Sequence, residues 1–133
     1  MTSHATGTFE VSVQPLALHE AAEGAPLGRL SIDKIFHGDL AGSSCGEMLS
    51  ARTATDGSAG YVALEYVRGS LGGRSGSFVL QHSGTLTRGA PSLSVSVVPD
   101  SGTGELAGLA GSLAISMVDG EHHYAFDYDL PSS

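Results

Sequence analysis

Apolar and polar residues alternate along most of the chain with a period of two, which is the pattern of a β-strand with one buried face. In residues 7–14, for example, Phe9, Val11 and Val13 share one side. Residues 44–53 alternate less clearly, because the face of Cys45, Glu47, Leu49 and Ala51 mixes polar and apolar side chains. The predicted strands cover residues 7–14, 27–37, 44–53, 93–98, 113–117 and 122–130, with two more inside residues 61–85.

Turn-forming residues separate the predicted strands. Gly-Asp, Asp-Gly and Pro-Asp pairs follow several of them, and Asp119-Gly120 is the strongest two-residue hairpin signal. Residues 15–26 lie between prolines and suit a connection with one or two helical turns. The glycine-rich residues 101–111 suit a bulged corner or one short helical turn. Residues 1–6 are expected to be frayed.

This pattern predicts an all-β fold. Eight mostly antiparallel strands in 133 residues, without a long amphipathic helix to cover a sheet, leave no exposed edges when they close into a barrel. An eight-stranded barrel either fills its interior with side chains or holds one small ligand. We therefore predict a single domain, residues 1–133, that forms a closed eight-stranded barrel.

The central hairpin, residues 61–85, carries the most suggestive chemistry. A turn at Gly73-Arg74 would place Glu65 directly across from His82, whereas a turn at Gly72-Gly73 would pair Glu65 with Leu80 and leave His82 diagonal to it. Both registers put the carboxylate and the imidazole on the same, otherwise apolar face, and only a loop of odd length would separate them. Such a pair can move a proton for a substrate, or it can be a hydrogen-bonded polar pair that only fixes the strand register.

Further residues are candidates to line a ligand cavity. Strand 122–130 carries aromatic rings with polar tips on one face, which suits either a cavity wall or ordinary core packing. Lys34 shares a face with Leu30, Ile32 and Phe36, so it is either a surface lysine with a buried stem or a cation inside the barrel. The predicted ligand-binding residues are Tyr61, Phe78, Leu80, His122, Tyr124, Phe126 and Tyr128.

Charge and cysteine content narrow the range of partners. Fourteen acidic residues against six Lys and Arg give a net charge of -8, which repels nucleic acid and anionic membrane surfaces. The N-terminus shows no basic segment ahead of an apolar run, so we expect a cytoplasmic protein. Cys45 is the single cysteine; it cannot form an internal disulfide, and we expect it to be buried and inert.

Two motif matches do not predict a site, and neither do the histidines. Residues 102–108 resemble a dinucleotide loop, and residues 42–46 match the spelling of a nucleophile elbow, but neither precedes the helix that those motifs require. The histidines show no metal-ligand spacing, and the adjacent His122 and His123 point to opposite faces of a strand. We therefore expect neither a metal nor a cofactor.

Six blocks spread over almost the whole chain carry a family resemblance. They are GTFEV (7–11), FHGDLAG (36–42), YVALE (61–65), GRSGSFVLQH (73–82), SGTGELAG (101–108) and HYAFDY (123–128). With these blocks the chain resembles a family of small bacterial proteins of unknown function that is linked to the allene-oxide-cyclase-like barrel, which plant dirigent proteins share. The resemblance implies the barrel rather than a particular reaction, and it implies that a homodimer or homotrimer is plausible.

The sequence thus favours a cofactor-independent barrel enzyme that acts on a small hydrophobic molecule by isomerisation, cyclisation or proton transfer. Glu65 would act as base or charge partner, and His82 as proton donor or acceptor. One alternative is a protein that binds a small hydrophobic ligand without catalysis. Another is a structural or interaction barrel whose core is filled by its own side chains.

Overall fold

The computed structural model describes residues 2–131, in which eight antiparallel strands form one closed barrel. Each strand pairs with the next along the chain, and β1 pairs with β8 to close the barrel. The predicted all-β barrel is therefore confirmed. The strands are β1 (Ser3–Leu16), β2 (Leu27–Gly38), β3 (Leu40–Arg52), β4 (Ala59–Leu71), β5 (Arg74–Thr87), β6 (Ala90–Val97), β7 (Ala110–Val118) and β8 (Glu121–Asp129).

The two remaining elements are single 3-10 turns, Glu20–Ala22 and Gly104–Leu106, in the connections where short helical turns were predicted. Among residues 2–131 there is no helix with the length and hydrophobicity needed to cross a membrane.

The strands are longer than the alternation pattern predicted. The expectation that residues 1–6 are frayed is wrong for Ser3 to Thr6, which belong to β1 and pair with β8, where Ala5 is fully buried. Met1 lies outside the described residues. β3 also begins earlier than predicted, at Leu40. In both strands tertiary pairing extends the strand beyond the residues that alternate clearly, because the barrel supplies hydrogen-bond partners on both sides.

Two-residue turns connect three of the hairpins. Leu71 pairs with Arg74, Thr87 with Ala90, and Val118 with Glu121, so the turns are Gly72-Gly73, Arg88-Gly89 and Asp119-Gly120. All six turn residues have positive φ, which suits the twist of the flanking strands. The turn at Gly72-Gly73 settles the register of the central hairpin, since it pairs Glu65 with Leu80 and Ala63 with His82.

The interior of the barrel is divided into two halves. The half near the Gly72-Gly73 turn, which we call the filled half, is packed with apolar side chains and covered by the 98–109 loop, whose Leu106 and Leu109 enter the core. The opposite half, near the Arg88-Gly89 and Asp119-Gly120 turns, contains a cavity and is called the open half. The buried polar residues Lys34, Glu65 and His82 lie where the two halves meet.

Candidate functional site

Glu65 is the centre of the candidate site. The alternation of β4 points Glu65 inward between Ala63 and Val67, and its side chain has no exposed surface. Because Ala63 is the residue opposite His82, the carboxylate and the imidazole are diagonal neighbours on the inner face. The prediction that the two side chains share one face is confirmed, in the register that leaves them diagonal.

Three side chains from three strands donate hydrogen bonds to the Glu65 carboxylate. Lys34 Nζ of β2 and His82 Nε2 of β5 lie 3.0 and 2.8 Å from Oε1, and Ser44 Oγ of β3 lies 2.5 Å from Oε2. Ser44 is a site residue that the sequence analysis missed. It sits on β3 between Gly42 and Gly46 at the inward positions, so this part of the face carried no apolar signal.

The environment of Glu65 favours its ionised form. Burial alone opposes ionisation, but the hydrogen bond from His82, the charge of Lys34 and the hydrogen bond from Ser44 outweigh it, so the pKa of Glu65 lies below its usual value of 4.5. An ionised carboxylate only accepts hydrogen bonds, so Nε2 of His82 must carry a proton. Glu65 therefore holds the imidazole in one orientation and one tautomer, as the carboxylate of a catalytic triad does.

Lys34 is a cation inside the barrel, and the alternative of a surface lysine is wrong. Its side chain is 8 % exposed, and Nζ lies 4.5 Å from the centre of the Phe9 ring and 5.7 Å from that of Phe36. Both distances allow cation–π attraction. Glu65 is the acceptor of its hydrogen bond, so the ammonium group has N–H donors left for a ligand oxygen.

His82 presents its second ring nitrogen to the cavity. Within residues 2–131, Nδ1 of His82 makes no hydrogen bond. Every fully buried side-chain nitrogen or oxygen in this part of the chain does have a hydrogen-bond partner, so Nδ1 is not fully buried. Nδ1 is therefore accessible, and His82 lines the cavity although its residue is only 4 % exposed. With the proton on Nε2, a neutral His82 offers the Nδ1 lone pair as a base.

The cavity in the open half has a volume of about 230 Å³. Apart from Lys34, His82, Tyr61 and His122, its walls are aliphatic or aromatic. Tyr61 packs over Gly84, where a Cβ atom would lie 2.4 Å from the tyrosine ring, and His122 stacks on Phe9. The lining residues are Phe9, Val11, Val13, Ile32, Lys34, Met48, Tyr61, Ala63, His82, Leu93, Ile115 and His122.

Two of the seven predicted ligand-binding residues line the cavity, and the other five lie outside it. Tyr61 and His122 line the cavity, but Phe78, Leu80, Tyr124 and Phe126 are buried in the filled half, with Tyr128 packed against them. Tyr124 has a structural task, because its hydroxyl accepts a hydrogen bond from Leu40 N and donates toward the backbone oxygens of the β2–β3 turn. The aromatic stripe of β8 is thus mainly core.

Cys45 is exposed on the outer surface, so the expectation of a buried cysteine is wrong; it occupies the outward-facing side of β3. No group of three or more His, Cys, Asp or Glu residues among residues 2–131 is arranged to hold a metal ion.

The two most voluminous depressions lie outside the barrel. One, of about 770 Å³, covers the outward side chains Leu49, Val62 and Leu64, and the other, of about 630 Å³, lies beside the β1–β2 connection. Neither is lined by Lys34 or His82. The smaller cavity of the open half is therefore the candidate site, since it combines an apolar wall with buried groups that can exchange protons.

Comparison with known proteins identifies the family but no activity. A crystal structure of a protein of unknown function from the DUF3224 family of Shewanella oneidensis MR-1 matches with a TM-score of 0.93 and 48% sequence identity, over 100% of both chains. No curated protein matches the chain. The profile of DUF3224, described as a protein of unknown function, matches residues 5–128. The chain therefore belongs to the DUF3224 family.

Proposed function

We propose that the open half of the barrel binds a small, mostly apolar molecule with a carbonyl or carboxylate oxygen, and that His82 transfers a proton within it. The observation that carries this proposal is the pairing of an ammonium group and an accessible imidazole nitrogen on the wall of an apolar cavity. The reaction would be an isomerisation or cyclisation that needs no cofactor, because a proton leaves one carbon and returns to another.

Each polar group has a distinct role in this proposal. Nδ1 of His82 takes the proton from a carbon next to the carbonyl, and an N–H of Lys34 stabilises the negative charge that develops on the oxygen. Glu65 acts as the charge partner that orients both groups, not as the base, because its pKa is lowered and both of its oxygens accept hydrogen bonds. Tyr61 and His122 contact the ligand from the wall.

The size of the cavity limits the substrate. A volume of about 230 Å³ equals roughly eight water molecules of 30 Å³ each, and it is smaller than the 300–1,000 Å³ that is typical of pockets for drug-sized ligands. We also propose a relationship to allene-oxide-cyclase-like barrels, since those barrels use an apolar interior to steer a reactive small molecule.

Proton transfer can be tested by hydrogen–deuterium exchange into small ketones and enones in D2O, followed by NMR. We expect the protein to accelerate exchange at the carbon next to the carbonyl, and His82→Gln to abolish the acceleration. His37→Gln is the matched control, because His37 pairs with Glu10 on the outer surface. Acceleration that persists in His82→Gln would refute the assigned role.

Binding without catalysis is the second candidate function. It is favoured by the complete hydrogen bonding of Glu65, whose three donors form a self-contained network that can be purely structural. In that case the ligand would dissociate from the protein with its chemical structure unchanged and without incorporated deuterium. Lys34→Met would still weaken its binding.

We also propose a cytoplasmic location and self-association. An apolar patch on β3 and β4 is formed by the outward side chains of Leu49, Val62, Leu64 and Tyr66. The ion pair between Arg29 and Glu47 lies beside this patch and has no net charge, although the whole chain has a net charge of -8. A second copy of the chain can approach this face with little electrostatic repulsion. Light scattering would show the oligomer, and Leu64→Glu should dissociate it; an unchanged mass would contradict the patch as the interface.

A further inference from the structure

The wall of the barrel is weakest between β6 and β7. Among the described residues these two strands share a single register pair, Ser96 with Ser112, whereas the other neighbouring strands pair over at least seven successive residues. Strand pairing supplies the hydrogen bonds that keep a barrel wall closed. We call the unpaired stretch, residues 90–95 of β6 and 113–118 of β7, the β6–β7 seam.

The seam is sealed on one side only. Toward the filled half, the 98–109 loop replaces the missing pairing by bonding to β5, with Thr103 N donating to Ser77 O at 2.8 Å and Ser101 Oγ accepting from Val79 N at 3.0 Å. Toward the open half no comparable segment covers the seam within residues 2–131. Pro91 lacks a backbone N–H, so β6 has one donor fewer to offer there.

A cleft of about 280 Å³ marks the seam, and it adjoins the cavity at Leu93. Its lining includes the core residues Val95 and Leu113 as well as Ser94 and Ala114, which alternate with them on the outer side. Leu93 lines both the cleft and the cavity. Extending the register from Ser96 and Ser112 would place Leu93 opposite Ile115, another cavity residue. The unpaired wall is therefore the wall of the ligand cavity.

We propose that the barrel opens at the β6–β7 seam, so that the site accepts apolar carboxylic acids that are longer than the cavity itself. The carboxylate lies at the ammonium group of Lys34, and the hydrocarbon chain passes Leu93 into the seam. Opening there breaks few hydrogen bonds, and the small side chains Ser94 and Ala114 lose little packing, so it needs less free energy than opening another pair of strands. This inference rests on the proposed ligand site.

Amide hydrogen exchange tests the opening without any ligand. We expect the N–H groups of residues 90–95 and 113–118 that point into the seam, as distinct from those bonded to β5 or β8, to exchange at least tenfold faster than those of the β3–β4 pair, which is bonded over its whole length. Equal protection of the two regions would overturn the inference.

Binding of two acids tests the consequence. A disulfide from Ser94→Cys and Ala114→Cys, made in a Cys45→Ser background, should weaken dodecanoate binding at least tenfold, leave hexanoate binding within twofold, and be reversed by reduction. A disulfide from Ser43→Cys and Arg68→Cys, across the fully paired β3–β4, is the control. Equal dodecanoate binding with and without the seam disulfide overturns the inference alone. Failure of both acids to bind the unmodified protein overturns the proposed function, and the inference with it.

Discussion

Replacing Glu65 by glutamine should strongly destabilise the barrel. The substitution keeps the shape of the side chain but removes the charge that neutralises Lys34, whose ammonium group lies 3.0 Å from the carboxylate and is almost fully buried. Removing one partner of a buried ion pair costs about 3–5 kcal/mol, because the other charge stays buried without compensation. This is a large fraction of the roughly 5–15 kcal/mol that stabilises a typical domain. At about 4 °C per kcal/mol for this chain length, Tm should fall by roughly 12–20 °C.

Urea unfolding followed by circular dichroism measures this effect, since the chain has no tryptophan. Lys34→Met combined with Glu65→Gln should recover at least about 2 kcal/mol relative to Glu65→Gln alone, because no uncompensated charge is then buried. Glu47→Gln is the matched control; its partner Arg29 is exposed, so the change should be far smaller. The reasoning is refuted if Glu65→Gln costs no more than Glu47→Gln, or if the two changes at Lys34 and Glu65 are additive.

Three further predictions follow from the same contacts. The pKa of Glu65 is lowered on folding, so its contribution to stability is present above pH 4.5 and is lost as the pH falls through the folded pKa; urea titrations below pH 4.5 should show this loss in the wild type and its absence in Glu65→Gln. Gly84→Ala should push the Tyr61 ring off the strand and weaken hexanoate binding with an unchanged fold by circular dichroism; unchanged affinity would contradict it. Tyr124→Phe should cost about 1–3 kcal/mol in urea unfolding, because the buried N–H of Leu40 loses its acceptor; a loss below about 0.5 kcal/mol would show that it finds another.

The fold was largely predictable because a strand with one buried face shows a regular alternation of apolar and polar residues in the sequence. β3 was the least predictable strand, since three of its inward residues, Gly42, Ser44 and Gly46, are small rather than large and apolar. Those small residues are there for a steric reason: a Cβ on Gly46 would lie 2.1 Å from the Leu64 carbonyl oxygen, beside Glu65. A signal for this face existed in the regular spacing of Gly42, Ser44 and Gly46, but hydrophobicity alone does not detect it.

The candidate site was predictable only in part. Glu65 and His82 were placed together because both possible turns keep them on one face. Lys34 was left undecided, since a lysine on an apolar face can extend to solvent unless a buried counter-charge holds it, and that counter-charge lies on another strand. The aromatic stripe of β8 showed which residues point inward but not how deep each lies, so Tyr124 and Phe126 were not distinguished from His122.

The division of the interior separates two requirements that often compete in one protein. In the proposed function, selectivity for a small molecule depends on Tyr61, Leu93, Ile115 and His122, which line the cavity, whereas the packing that resists denaturation is concentrated at the other end, around Phe78 and Phe126. Relatives with the same barrel can therefore exchange the residues at the opening and acquire different specificities without approaching the threshold of unfolding. Among residues 2–131, the Lys34–Glu65–His82 network couples the two requirements, because it lies where the filled half and the open half meet.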